Sequence, residues 1–221
     1  MPATKILIEG PSGTGKSTSL RNLPSEQTFI ISPNDKPLPF QGSAKKYVKG
    51  KNLIVTEKVT DIPAALKHIS DKLPAVKYAV IEDSTHFQNA RMMSDAFTSD
   101  KGFAKWGVFG KDIYQALANT QGLRDDLFVV VLSHVQTNDV GESVFKTSGK
   151  LLDQTVDIPS YFTYILHTEV VRKDDKVAYS FLTNSDGNKQ AKTPMGLYDT
   201  LLIPNDLMEV ITKIKAYQEG E

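Results

Sequence analysis

Cysteine is absent from this chain of 221 residues, which excludes disulfides, thiolate metal sites and a thiol nucleophile, and suits a reducing compartment. Net charge is absent too. Lys plus Arg and Asp plus Glu each total 26, so no global field draws in nucleic acid and any such surface has to be a local patch. Tryptophan occurs once, at Trp106. Arginine is confined to Arg21, Arg91, Arg124 and Arg172, dispersed without the cluster that a phosphate-covering lid needs. The four histidines, His68, His86, His134 and His167, lack a metal-ligand spacing. No apolar run approaches the ~20 residues of a membrane span, and no basic segment followed by an apolar core opens the chain. The expectation is a cytoplasmic protein with no membrane partner, folded as one domain over 1–221.

What is present is concentrated near the amino end. An apolar strand, Ile6-Leu7-Ile8-Glu9, runs into Gly10-Pro11-Ser12-Gly13-Thr14-Gly15-Lys16-Ser17-Thr18, the pattern G-x-x-x-x-G-K-S. The glycines let the backbone wrap so that successive N–H groups point inward at a polyphosphate. Lys16 then reaches the β- and γ-phosphates, and the Ser17 hydroxyl ligates Mg²⁺. A helix from Lys16 to Leu23 is expected to add the positive end of its dipole.

The rest alternates strand and helix, which predicts an α/β fold with a largely parallel sheet. Strands are expected over 27–32 and 52–57, with a stiff loop between them bearing Pro33, Pro37 and Pro39. Asp61 to Lys72 reads as a helix with Asp61 placed to cap it. Further helices are expected over 88–97, 111–121 and 205–218. The strand 126–134 is the most apolar and is expected near the middle of the sheet, buried on both faces. The stretch 137–150 is polar and expected to be mobile, and 161–171 with 176–184 reads as an antiparallel hairpin late in the chain.

An apolar strand from Tyr78 ends at Glu82-Asp83-Ser84, the form of a Walker B element, whose Asp83 would accept a hydrogen bond from a Mg²⁺-bound water. A helix N-cap is the competing role for Asp83. Strand alternation keeps Glu82 and Asp83 from addressing one ion together, so Glu82 is expected to be a hydrogen-bonded structural carboxylate. In the P-loop group that inserts one strand between the first strand and Walker B, that inserted strand ends beside the γ-phosphate. His134 and Gln136 are then candidates, with Ser133, for sensing the phosphate or orienting water; a polar strand end is the plain alternative.

With GPSGTGKST, NLIVTE followed by DIPAALKHIS, YAVIEDS, and GFAKWGVFGKDIYQAL leading into LFVVVLSHVQ, the chain resembles the RecA-like ATPase core from about residue 4 to residue 200. The resemblance is to the short core-only phage ATPases linked to single-strand annealing and recombination. It implies ATP and Mg²⁺ as ligands and assembly as a homo-oligomer on single-stranded DNA, in company with a single-stranded DNA-binding protein. If the chain is phage-encoded, the location is the host cytoplasm. One departure stands out. RecA-like enzymes carry a catalytic Glu after the second strand, where this chain reads Pro33-Asn34-Asp35-Lys36, leaving Asp35 as the possible substitute.

DNA contact is expected on two loops. The first holds Lys101, Phe103, Lys105, Trp106 and Lys111, which mix cations and aromatics; Phe103, Trp106 and Phe109 at a spacing of three fit a packed helix as well. The second holds Lys146, Thr147, Ser148 and Lys150. The run Lys45 to Lys51 reads as a solvated face. Lys189 and Lys192 resemble late basic residues that RecA-like subunits offer to a neighbour's ATP. Two other functions stay open: a nucleotide-gated assembly factor with little hydrolysis, and a P-loop kinase acting on a nucleoside or other small molecule. A GTPase is disfavoured because no N-K-x-D element follows the apolar strand.

Overall fold

The computed structural model describes residues 2–149, 156–173 and 176–220. Eight strands form one sheet: β1 (Thr4–Glu9), β2 (Thr28–Ser32), β3 (Leu53–Val55), β4 (Tyr78–Ile81), β5 (Phe128–Ser133), β8 (Tyr164–Lys173), β9 (Lys176–Leu182) and β10 (Leu202–Pro204). Two short strands, β6 (Val135–Thr137) and β7 (Ser143–Phe145), pair apart from it as an antiparallel hairpin. The order across the large sheet is β10-β9-β8-β1-β5-β4-β2-β3. All pairings from β8 to β3 are parallel, while β9 is antiparallel to both its neighbours. The fold is thus α/β with a mostly parallel sheet and a late antiparallel hairpin.

The apolar runs explain this order. Side chains alternate across a strand, so a strand buried on both faces must be apolar at every position. Leu7, Ile31, Ile81, Val129 and Val131 face one layer, packed against α2 (Asp61–Lys72), α3 (Ser84–Met93) and α5 (Ala104–Leu117). Ile6, Ile8, Ile30, Val80, Val130 and Leu132 face the other, packed against the last helix, α6 (Leu207–Glu219), through Leu207, Val210, Ile211 and Ile214. All six residues of β5 are buried, and the strand lies between β1 and β4 as its composition requires. Parallel direction then gathers the carboxyl ends of β1, β4 and β5 on one edge. Among the described residues no helix is long and apolar enough to cross a membrane.

Several sequence expectations are corrected. The segment after the phosphate loop is a 3-10 helix, Ser17–Asn22, rather than a full α-helix. Pro24 forces Leu23 into an extended conformation (ψ 135°), so the segment ends before an α-helix can develop. Little helix dipole is therefore available there, and the loop's own N–H groups must supply the attraction for an anion. The expected helix over 88–97 is two pieces, α3 and α4 (Asp95–Thr98), broken at Ser94, whose hydroxyl bonds back to the Arg91 carbonyl at 2.7 Å. Helix α5 starts at Ala104 rather than 111, because Trp106 and Phe109 pack against Phe97 at ring-centre distances of 5.0 and 5.5 Å. The stretch 137–150 takes in the last residue of β6, the turn and the whole of β7. Lys150, Asp174 and Asp175 lie outside the described residues.

Glu9, the last residue of β1, is fully buried, and neither carboxylate oxygen has a hydrogen-bond partner among the described residues. It stands in register with Ser133 of β5 and His167 of β8. Burial pushes its pKa up to about 8. The folded state therefore retains a proton that the unfolded chain releases between about pH 4.5 and 8, so this group's contribution to stability falls as pH rises through that window. Chemical denaturation of Glu9→Gln against the parent should show the variant gaining about 1–3 kcal/mol at pH 8 and nothing at pH 4.5. A constant difference across that range would contradict the assignment.

Candidate functional site

The phosphate loop spans the gap between β1 and the 3-10 helix, and two of its positions admit only glycine. Gly10 has φ +154°, and a Cβ there would stand 1.9 Å from the Thr168 hydroxyl oxygen. Gly15 has φ +100°, with Tyr179 and Asn205 closing in around it. Thr168 on β8 braces the loop from outside: its hydroxyl donates to that of Thr14 at 2.5 Å and stands 3.2 Å from the Glu9 carbonyl oxygen. Thr14 in turn donates to the Pro11 carbonyl at 2.7 Å.

Lys16 is buried inside this loop. Its ammonium donates to the carbonyls of Gly10 and Pro11, both at 2.8 Å, and lies 3.5 Å from Nδ1 of His134. Among the described residues no carboxylate comes within ion-pair distance of it. Burial lowers its pKa to about 8, against the opposing fields of Glu82 and Asp83. The molecule thus holds a desolvated cation partnered by two carbonyls and a neutral imidazole, with no counter-charge in contact, an arrangement that favours arrival of an anion.

The acidic pair behind it divides, with Glu82 hydrogen-bonded and Asp83 in the capping role weighed for it above. The Ser17 hydroxyl donates to Glu82 Oε1 at 2.5 Å, while Glu82 Oε2 is buried without a partner among the described residues. Burial raises the Glu82 pKa to about 7. Asp83 instead caps α3, its carboxylate accepting from the His86 N–H at 3.2 Å, and adopts φ 52°, ψ 64°. It is the one non-glycine residue with positive φ among those described, and Asp is among the residues that tolerate this region. Strand β4 ends at Ile81, so alternation does not govern the next two residues. The left-handed turn at Asp83 leaves Glu82 facing Ser17 and brings Asp83 Oδ1 to 3.8 Å from Nε2 of His134. The carboxylate beside Ser17 is therefore that of Glu82, while Asp83, expected to face a Mg²⁺-bound water or to cap the next helix, takes the cap.

His134, just past β5, completes the group. Burial and the nearby Lys16 cation lower its pKa, favouring the neutral ring. Lys16 can only donate, so Nδ1 is the acceptor and Nε2 carries the proton toward Asp83. Lys16, Ser17, Glu82, Asp83 and His134 line one cavity of about 450 Å³, together with Ser12, Gly13, Gly15, Thr18, Pro39 and Tyr179. A larger groove of about 820 Å³ lies between residues 57–60 and α3–α4, but none of the phosphate-loop residues lines it, and its Arg91 is paired to Asp112 at 2.8 Å. The smaller cavity is the one with chemistry.

Other expected residues lie elsewhere. Asp35 sits on the exposed proline-rich loop and does not line the cavity; the Ser32 hydroxyl donates to the Asn34 carbonyl at 2.8 Å, and Pro39 is the part of that loop reaching the site. Gln136 is carried away from the cavity in β6, paired with Val144. Trp106 is packed, and Lys105 bonds to the Asp100 carbonyl at 2.7 Å and covers the Phe97 ring, which leaves Phe103, 85% exposed, as the free aromatic of that segment. Ser148 is pinned to α3, its hydroxyl donating to Asn89 at 2.6 Å. Lys189 is paired with Glu169 at 3.0 Å, whereas Lys192 is exposed. Tyr179 and Asn205 were missed; they come from distant segments of the chain, and no local signal marks them.

No family model matches this chain, and no curated protein matches it. Solved structures similar to it include the KaiC-like protein PH0186 from the hyperthermophilic archaeon Pyrococcus horikoshii OT3, with TM-score 0.45 and 9% identity over 87% of this chain and 83% of that one. No functional conclusion passes between two chains at that distance.

The Glu82–Ser17 geometry makes a clear prediction. Glu82→Gln should raise the magnesium concentration needed for nucleotide-induced thermal stabilisation by about 10–100-fold. Asp83→Asn, which keeps the cap and tolerates the left-handed backbone, should shift it far less. The opposite ranking would return the metal-side role to Asp83.

Proposed function

We propose that this chain is a magnesium-dependent ATPase of RecA-like type that works on single-stranded DNA as a homo-oligomer, alongside a single-stranded DNA-binding protein. The observation that carries the nucleotide part is the convergence of Lys16, Ser17, Glu82 and His134 on one cavity at the carboxyl edge of the sheet. The donor set suits magnesium: a hydroxyl and a carboxylate with a spare buried oxygen, both hard ligands. Among the described residues no three carboxylates or imidazoles could hold a metal by themselves; this site needs no such cage, because Mg²⁺ takes most of its ligands from phosphate and water. When bound, the ion would neutralise charge on the β- and γ-phosphates.

Each side chain then has a task. Main-chain N–H groups of residues 12–17 cradle the phosphates. Lys16 gives up its contacts with the Gly10 and Pro11 carbonyls and turns its charge to the β- and γ-oxygens. Neutral His134, facing both Lys16 and Asp83, is placed to report on the terminal phosphate or to hold a water by its Nε2–H. Ionised Glu82 orients Ser17. Glu82 gains its charge above about pH 7 and Lys16 loses its own above about pH 8, so nucleotide affinity is greatest between them.

Support for a DNA partner is local. Exposed Phe103 beside Lys101 offers a stacking ring with a cation. The β6–β7 hairpin starts directly after His134 and is tied to it by the Lys146 N–H donating to the His134 carbonyl at 3.0 Å, which links that loop to the nucleotide site. A second reading, an assembly factor that binds ATP and hydrolyses little, is favoured by one fact: Asp35 stands outside the cavity, which leaves only Glu82 and Asp83 as its carboxylates. ATP turnover measured with and without single-stranded DNA at two salt concentrations separates the readings. The proposal expects stimulation that weakens steeply as salt rises. Binding with negligible turnover supports the assembly factor, and phosphate transfer to a small molecule without any response to DNA would overturn both.

A further inference from the structure

Asn205 is 2% exposed, and every part of it except the carboxamide is held. Its N–H donates to the Tyr179 carbonyl at 3.2 Å, and its own carbonyl accepts from Arg21 Nη1 at 2.5 Å. The next residue, Asp206, accepts from Asn22 on the 3-10 helix and caps α6 through the Met208 N–H at 3.0 Å. The backbone at Asn205 is thus pinned to the segment that follows the phosphate loop. The side-chain nitrogen and oxygen, both buried, have no hydrogen-bond partner among the described residues.

Their position gives the orphaned amide a meaning. A Cβ on Gly15 would stand 3.2 Å from the Asn205 nitrogen, 3.3 Å from its oxygen and 3.0 Å from Cδ1 of Tyr179. The carboxamide therefore lies buried against Gly15, one layer behind the cavity that Gly15 and Tyr179 line. Tyr179 sits on the outer part of the β8–β9 hairpin, 44% exposed, and its hydroxyl makes no hydrogen bond among the described residues. The ring can turn aside and offer its face to a flat ligand.

A carboxamide presents one donor and one acceptor side by side. Adenine matches that pair with N7 and the N6 amino group, whereas the same edge of guanine shows two acceptors, N7 and O6. Leaving such a pair buried and unmatched costs stability, and a ligand that supplies both partners recovers it. We propose that Asn205 reads the base of the bound nucleotide, pairing with N6 and N7 of adenine while the Tyr179 ring stacks on it, and so selects ATP over GTP. This rests on the triphosphate reading of the loop.

The test is calorimetric titration, with magnesium, of ATP, GTP, 7-deaza-ATP, purine riboside triphosphate and inorganic tripolyphosphate. The parent protein should bind ATP about tenfold more tightly than GTP or either analogue, the size expected for losing one buried hydrogen bond. Asn205→Leu should bind ATP, GTP and the analogues alike while holding tripolyphosphate as the parent does. If the parent binds tripolyphosphate but holds all four nucleotides equally, the carboxamide faces only water and the inference fails while the loop reading survives. Discrimination that persists in Asn205→Leu has the same consequence. A parent protein that takes up neither ATP nor tripolyphosphate overturns both.

Discussion

The architecture of the site depends on one costly group, the Lys16 ammonium taken out of water and given carbonyls rather than a carboxylate for company. Such a cation is tolerable only where the backbone is wound tightly enough to surround it. That winding needs glycine at position 10, where Thr168 stands too close for any Cβ, and at position 15, where φ is +100°. Thr168 and the Asn205–Asp206 segment hold the loop from β8 and from the start of α6. The apolar sheet contributes position. With β5 between β1 and β4, the lysine, the acidic pair and His134 meet on one edge.

The left-handed residue at Asp83 is the second constraint. A non-glycine residue in that region costs roughly 1–3 kcal/mol, and the N-cap bond to His86 offsets part of it. The turn separates two adjacent carboxylates into different tasks. Glu82 goes beneath Ser17 in a dry environment, and Asp83 goes to the mouth of α3 opposite His134. Burial raises the proton affinity of Glu82, whereas Asp83 stays partly exposed.

Much of this was legible in the chain, and the reasons are local. The phosphate loop is a contiguous pattern, and α2 is found at Asp61–Lys72, the bounds the sequence indicates, although Asp61 is its first residue and not its cap: the N-cap is Thr60, without a side-chain capping bond, and the Asp61 carboxylate accepts from the Thr56 hydroxyl instead. The central placement of β5 follows from an unbroken apolar run. What stayed hidden depends on contacts between distant segments. Glu82 could not be preferred over Asp83 without knowing that the strand stops at Ile81 and the chain then turns left-handed. Tyr179 and Asn205 sit 162 or more residues beyond Ser17 and reach the loop only through the β9 hairpin and the start of α6. Trp106 by its spacing suits packing a core as well as stacking a base, and three-dimensional contact with Phe97 places it in the packing.

The central claim is that main-chain donors and the Lys16 cation together capture a triphosphate. Titration of Mg²⁺–ATP into the parent protein and into Lys16→Ala, followed by calorimetry near pH 7, tests it most directly. A saturable heat in the parent that vanishes in the variant is the predicted result; equal heats in the two proteins, or none in the parent, would contradict it.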